Sequence, residues 1–321
     1  MNNSLLIKKF LDEKKSIGSS NDTLIYYKTQ LELFSEYIND GKIDSFTFIN
    51  YQIWLQDKLN VKLITIQTYA CAVKTFLRWA TENRYINIDV SKLKLIKAEK
   101  EMIYPLDNDE IKHLLNSFDE EELLQLRNKV ICMLMLDCGL RRGEIVKIKI
   151  KDINFRKNQL KVNGKGAKKR VVPFGKITAD YLKRYQMMNI KNNTGYFFTT
   201  CRNTPITKNT IKMVFQNLKK INGLERIHAH LLRHTFATNF LLDGGDIETL
   251  RILMGHDSIS TTQKYVHIAQ QLIILNDYKF SHLDKMLNLD SDKKEDEIAK
   301  LVRRILVNFA QMPNTFKSPD S

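Results

Sequence analysis

Cysteine is scarce in this chain, and its placement excludes two roles. Cys71, Cys132, Cys138 and Cys201 are the only four in 321 residues; they show no CxxC spacing and sit mostly among apolar neighbours. A disulfide framework or a zinc site needs clustered thiols, so the sequence predicts reduced core cysteines, no metal and a cytoplasmic setting. Long apolar runs are also missing. None approaches the ~20 residues needed to span a bilayer, which argues against a membrane partner. At the N-terminus, MNNSLLIKKFLDEKK interrupts its apolar stripe with charges, unlike a secretory signal. Acidic residues fall short as well: 36 Asp and Glu against 51 Lys and Arg leave a formal charge of +15. That excess suits a polyanion, and nucleic acid is the polyanion that remains.

A last absence is local. Five polar residues lie close together in sequence, His230, Arg233, His256, Tyr265 and His267, in segments reading HAHLLRHTFATNF and MGHDSISTTQKYVH. Among them is no carboxylate pair and no serine or cysteine nucleophile. What is present suits an anionic substrate whose charge grows in the transition state, a phosphodiester above all. Arg holds two nonbridging phosphate oxygens and does not titrate near neutrality, and a tyrosine hydroxyl can serve as nucleophile. The three-residue interval from His230 to Arg233 places both on one helix face.

In chain order, residues 1–95 read as helical. Leu5, Leu6, Phe10 and Leu11, then Leu24, Tyr27, Leu31, Phe34 and Ile38, recur at helical spacing, with Asn21 or Asp22 as a cap. Two more helices are predicted near Phe48 to Leu59 and from Thr65 to about Asn83. The stripe of Tyr69, Val73, Phe76 and Trp79 reads as core, while Lys74 and Arg78 lie where phosphates can be met. Residues 92–105 are charged and aperiodic up to Pro105, and 96–105 is taken as the interdomain linker. Asp107 and Glu110 form a capping pattern for the next helix, and another helix runs from about Leu123 to Gly139.

Alternation at Ile148, Ile150 and Ile153, then Leu160 and Val162, then Val171 and Val172 predicts a short antiparallel sheet. Its last turn, GKGAKK, carries Lys165, Lys168 and Lys169, followed by Arg170; the last three read as DNA-backbone contacts. A helix from Ile177 to about Gln186, a strand or turn near Tyr196 and a helix from Thr207 to Lys220 follow. Lys208 and Lys212 lie on the face of that last helix that can enter a major groove. Asp246 caps a helix through Leu253, Gly255 ends it, and Ser260 caps the helix bearing Tyr265. Beyond it, Gln270 to about Leu287 reads as helical, and Ile298, Leu301, Val302, Ile305 and Phe309 share one face of a further helix. The expected fold is mainly α with a small antiparallel sheet, in domains 1–95 and 106–285, with 286–321 as a C-terminal helix and tail.

The joint pattern of His230-x-x-Arg233-His, a Gly-His turn at His256, Tyr265 nine residues on, and Gly139-Leu140-Arg141 with Glu144 resembles the tyrosine recombinase family, lambda integrase-like and Xer-like. The resemblance covers roughly residues 5–285. It implies two-domain architecture: a helical, SAM-like core-binding domain and a mixed catalytic domain. It also implies site-specific recombination. Tyr265 would attack a scissile phosphate to give a 3′-phosphotyrosyl bond and a free 5′ hydroxyl, with Arg141 and Arg233 stabilising the transition state. Lys165 would be the general acid, His230 the proton-handling partner of Tyr265 and His256 a hydrogen-bond donor to the phosphate, with Glu144 and His267 in support. The covalent bond conserves the phosphodiester energy, so no cofactor, ATP or metal is implied. Double-stranded DNA bearing specific sites is the implied partner, and a homotetramer the implied synapse. No arm-binding domain precedes the helical bundle, a layout closer to Xer-like recombinases and simple integrases of mobile elements; integration, excision, resolution and inversion all fit. The same residues suit a type IB topoisomerase, and a non-catalytic DNA-binding regulator is the non-enzymatic alternative.

Overall fold

Four helices make the first of two units in the computed structural model, which describes residues 3–39, 41–99, 103–164, 169–223 and 225–275. These are α1 (Asn3–Ser16), α2 (Asn21–Ile38), α3 (Ser45–Leu59) and α4 (Leu63–Glu82). Side chains set their boundaries. Ser20, rather than Asn21 or Asp22, caps α2 by accepting from the Thr23 N–H, and Asp44 with Thr47 forms a capping box on α3. Asn39 and Asn60 end α2 and α3 in the left-handed region, which asparagine tolerates better than most residues.

Phe10, Phe34, Tyr51, Phe76 and Trp79 meet at the centre, with Phe10 edge-on to Phe76 at 5.6 Å and Phe34 edge-on to Tyr51 at 5.0 Å. The aromatic stripe is therefore core. The charged stretch after it behaves differently from a linker along its first part. Leu93 is fully buried in this core, Gln52 brackets the chain by donating to Lys94 O and accepting from the Ile96 N–H, and Gln67 donates to Ile96 O. Two glutamine side chains satisfy the strap's backbone, which keeps 92–96 with the first unit.

The second unit opens with α5 (Asn108–Asn116), whose Asp107 and Glu110 make the expected reciprocal cap. Next, α6 (Leu123–Cys138) is buried almost throughout and packs against α8 (Lys176–Met188) and α10 (Ala229–Leu242). Between α6 and α8 come the single turn α7 (Arg142–Ile145) and three antiparallel strands in the order β1 (Ile153–Asn154), β2 (Gln159–Asn163), β3 (Lys169–Pro173). Leu160 pairs with Val172 and Val162 with Arg170.

The predicted first strand is shorter than its apolar alternation suggests. Asp152 accepts from the Lys149 N–H at 3.0 Å and winds Ile150–Asp152 into a 3₁₀ turn, so only Ile153 and Asn154 join the sheet. Likewise the YFFTT segment contributes isolated bridges, Lys149 to Tyr196 and Thr199 to Pro205.

Thr207 caps α9 (Lys208–Asn222). After α10, Asp246 caps α11 (Ile247–Met254) by accepting from the Thr249 N–H at 2.8 Å. Then α12 (Ser260–Leu275) runs unbroken past Gln270, where the sequence suggested a new helix. It packs on α10 and α11 through Tyr265, Val266, Ile268 and Ala269. The rest of the expected C-terminal helices, including Ile298 to Phe309, lies outside the described residues.

Gly139, at φ 60°, is one of two glycines on which the site depends. A Cβ there would overlap the Phe236 ring as well as force a left-handed side-chain residue. Gly139→Ala is expected to destabilise the second unit by about 2–4 kcal/mol, read as a lower urea midpoint.

Candidate active site

Two helix ends build the floor of the site. The last carbonyls of α11 are without intrahelical donors and carry the negative end of the helix dipole. Three guanidiniums close on them in sequence: Arg170 Nε donates to Leu253 O at 2.7 Å, Arg233 Nη2 to Met254 O at 2.8 Å and Arg141 Nη2 to Gly255 O at 3.1 Å. Arg233 also donates to Gly139 O at the end of α6. Both receiving helices end in a left-handed glycine, and at Gly255 a Cβ would press on the Arg170 guanidinium.

Glu144 is the carboxylate among these cations. It is buried, takes two hydrogen bonds from Arg170 at 2.8 and 3.0 Å and one from Arg141 Nη1 at 3.0 Å, and also accepts from the Arg141 N–H at 2.8 Å. Arg233 Nη1 stands 3.9 Å from its Oε2. Burial opposes the carboxylate's charge, but the hydrogen bonds and charge of Arg170, with Arg141 behind them, outweigh it and hold its pKa below the usual range. One carboxylate thus answers three guanidiniums. Arg233, almost wholly buried, has its pKa lowered to about 9, first by burial and then by Arg141, and so stays charged at neutral pH. The more open cation is Arg141, whose side chain is 35% exposed.

His256 locks to this cluster. Arg233 Nη2 reaches its Nε2 at 3.0 Å, and its Nδ1 meets Thr262 Oγ1 at 2.9 Å. A guanidinium has no lone pair to offer, so Nε2 accepts and the ring proton sits on Nδ1, donated to Thr262. Burial, then the charges of Arg233 and Arg141, push the pKa of His256 down to about 3, which keeps the ring neutral. The donation from His256 to a phosphate that the resemblance implies would need Nε2 free and protonated. While Arg233 occupies Nε2, His256 orients the arginine instead.

Tyr265 lies beside His256, the rings nearly parallel at 7° with centroids 6.5 Å apart. It is 2% exposed; burial raises its pKa, and Arg233 and Arg141 offset part of that rise. The phenol thus falls within the electrostatic reach of both arginines in its own chain. His230 is exposed as a whole residue, and its pKa is lowered first by partial burial and then by Arg233. The imidazole nearer Tyr265 is His234, at 5.2 Å, with His230 a further 6.1 Å along α10.

The other expected site residues are more dispersed. Lys165 and Lys168 lie outside the described residues. Arg78, Lys169, Lys208 and Lys212 are exposed, Lys74 is half-buried, and His267 is on an exposed face of α12. Arg170, expected on the DNA backbone with the hairpin lysines, turns inward to Glu144 and Leu253. Strand alternation carries the signal for this, since Arg170 shares a face with the buried Val172 while Lys169 and Val171 point out. His234 and Thr262 went unassigned in the sequence. The i, i+4 spacing of His230 and His234 was the available clue to the first.

Neutral buried imidazoles make the fold acid-sensitive in a defined window. The ordinary histidine value is 6.5, while His234 and His256 are pushed down to about 4 and about 3. Between those limits the unfolded chain binds more protons, so stability falls as pH falls from about 6.5. The urea midpoint is expected to drop between about pH 7.5 and 5, and less steeply in His256→Asn.

Comparison with known proteins gives the family. The model of the phage integrase family matches residues 105–271. Tyrosine recombinase XerC of Staphylococcus saprophyticus subsp. saprophyticus is 30% identical over 262 residues, covering 78% of this chain and 88% of that protein. Among solved structures, XerH site-specific recombinase bound to a palindromic difH substrate superposes with a TM-score of 0.67 at 20% identity, covering 84% of this chain and 83% of the other. A lambda integrase dimer bound to a COC′ core site gives 0.67 at 17% identity, with coverage of 83% and 77%. The structural likenesses establish the two-domain fold; the family match and the XerC similarity establish kinship. This chain belongs to the phage integrase family. Its class is that of the site-specific tyrosine recombinases.

Proposed function

We propose that the chain cuts and rejoins double-stranded DNA at specific sites, with Tyr265 as nucleophile. The observation that carries this is the placing of a buried phenol within reach of Arg233 and Arg141, in a cluster of three guanidiniums answered by one carboxylate, an excess of positive charge fitted to a phosphodiester. A phosphate entering the site meets Arg141 first, the more open cation, with Arg233 fixed behind it by two helix ends and His256. As the Tyr265 oxygen bonds to phosphorus, the bond from phosphorus to the 5′ oxygen breaks. The phenol's proton leaves towards the imidazoles of α10, and Lys165 supplies the proton that the 5′ oxygen takes up. Because the positive groups are already oriented, little reorganisation accompanies the growth of negative charge. Glu144 keeps Arg141 and Arg170 in register throughout.

The exposed cations Arg78, Lys169, Lys208 and Lys212 and the half-buried Lys74, with Lys168, bind the duplex backbone. Strand exchange takes place in a homotetramer on two DNA sites, in the cytoplasm. No described helix is long and apolar enough to cross a membrane. The deciding experiment traps genomic DNA on the chain, maps the captured sites, and offers one as a nicked suicide duplex. The expected product is a protein–DNA adduct whose linked peptide contains Tyr265, and paired sites should give four-way junctions. Relaxation of supercoils without junctions would refute recombination, and a linkage through another residue would refute Tyr265.

A further inference from the structure

Two imidazoles flank Tyr265, and one of them has no bond to explain it. His256 is held at both nitrogens. His234 is 9% exposed, and its buried Nδ1 has no hydrogen-bond partner. Its ring stands 5.2 Å from the Tyr265 ring, tilted by 54°, and 6.1 Å from that of the exposed His230. A buried polar atom forgoes the bond it had with water, so such atoms are rarely left unmet. An aromatic hydrocarbon would fill the same space without that penalty. Burial and then the charge of Lys264 hold the ring neutral. A neutral imidazole carries one N–H and one lone pair, and an Nδ1 lone pair beside a phenol is an acceptor awaiting a donor.

We propose that His234 is a positioning residue for the nucleophile: its Nδ1 accepts the Tyr265 hydroxyl hydrogen as the phenol turns towards the phosphate, aiming an oxygen lone pair at phosphorus. This rests on Tyr265 being the nucleophile.

The test uses the full chain on its nicked suicide duplex, with single-turnover cleavage followed at saturating and sub-saturating DNA. His234→Phe keeps a ring and removes the nitrogens. His234→Asn keeps an acceptor where Nδ1 was, and His234→Gln keeps one where Nε2 was. The expected result is DNA affinity unchanged in all three. The cleavage rate at saturation should fall about tenfold or more in His234→Phe and His234→Gln, the cost of one well-placed hydrogen bond, with most of it regained in His234→Asn. A purely packing role would instead spare His234→Phe. Cleavage by His234→Phe at the wild-type rate overturns the proposal, as does equal failure of the folded Asn and Gln variants. Wild-type protein and Tyr265→Phe run alongside: no adduct in wild type refutes the nucleophile itself, whereas a normal wild-type adduct with an unaltered His234→Phe refutes only this inference.

Discussion

Tyr265→Phe is expected to bind its DNA site as tightly as the wild-type chain and to form no covalent adduct. The change deletes one oxygen from a ring packed against His234 and His256 in the cluster that joins α10, α11 and α12. Phenylalanine fills that volume, so thermal stability should move by no more than about 1 kcal/mol. Catalytic loss is another matter. Removing the attacking atom from an enzyme that forms a covalent intermediate costs on the order of a millionfold in rate. Gel-resolved adduct on the suicide duplex, beside a mobility-shift measurement of binding, separates the two quantities. Residual adduct in the variant would mean that a different side chain attacks.

The second large effect belongs to Glu144→Ala. Removing this carboxylate leaves Arg170, Arg141 and Arg233 facing one another with their shared counter-charge gone, two of them in a buried setting. Breaking a buried ion pair from one side costs about 3–5 kcal/mol, much more than a surface pair. The urea midpoint at neutral pH should fall accordingly, and cleavage should fall further than stability explains, because Arg141 loses its side-chain and backbone bonds to Glu144 and keeps the one to Gly255 O. Glu144→Gln keeps the shape and some of the hydrogen bonds, so its loss should be smaller. The depressed carboxylate contributes stability above its ordinary value of 4.5 that disappears as pH falls through the lower folded value. That acid step lies below the onset of the histidine one and should vanish in Glu144→Gln while the histidine step remains. A midpoint shift in Glu144→Ala no greater than that of a surface substitution would show that the cluster does not need its carboxylate.

Much of this was legible in the residues. Helical periodicity and turn chemistry located the elements: Asp107 with Glu110, Asp246, Gly139 and Gly255 all act at the ends where their side chains, or the lack of one, predict. The joint spacing of Arg141, His230, Arg233, His256 and Tyr265 marked the residues that the fold gathers. Contacts distant in sequence were harder. Nothing local reveals that Arg170 reaches Glu144 across 26 residues and a sheet, or that three arginines share the end of one helix. Asp152 shortened a strand whose apolar alternation was sound, because a side-chain acceptor competed with the ladder for the same N–H. The proton on His256 became assignable only when Arg233 was seen beside it.

The depth of Tyr265 has a consequence for how the protein behaves between reactions. A protonated phenol shut among three helices, beside neutral rings, is shielded from passing electrophiles. For the nucleophile proposed above, that depth means a bound duplex has to uncover the hydroxyl before it reacts, so discrimination between sites would be exercised at the cut as well as at the grip.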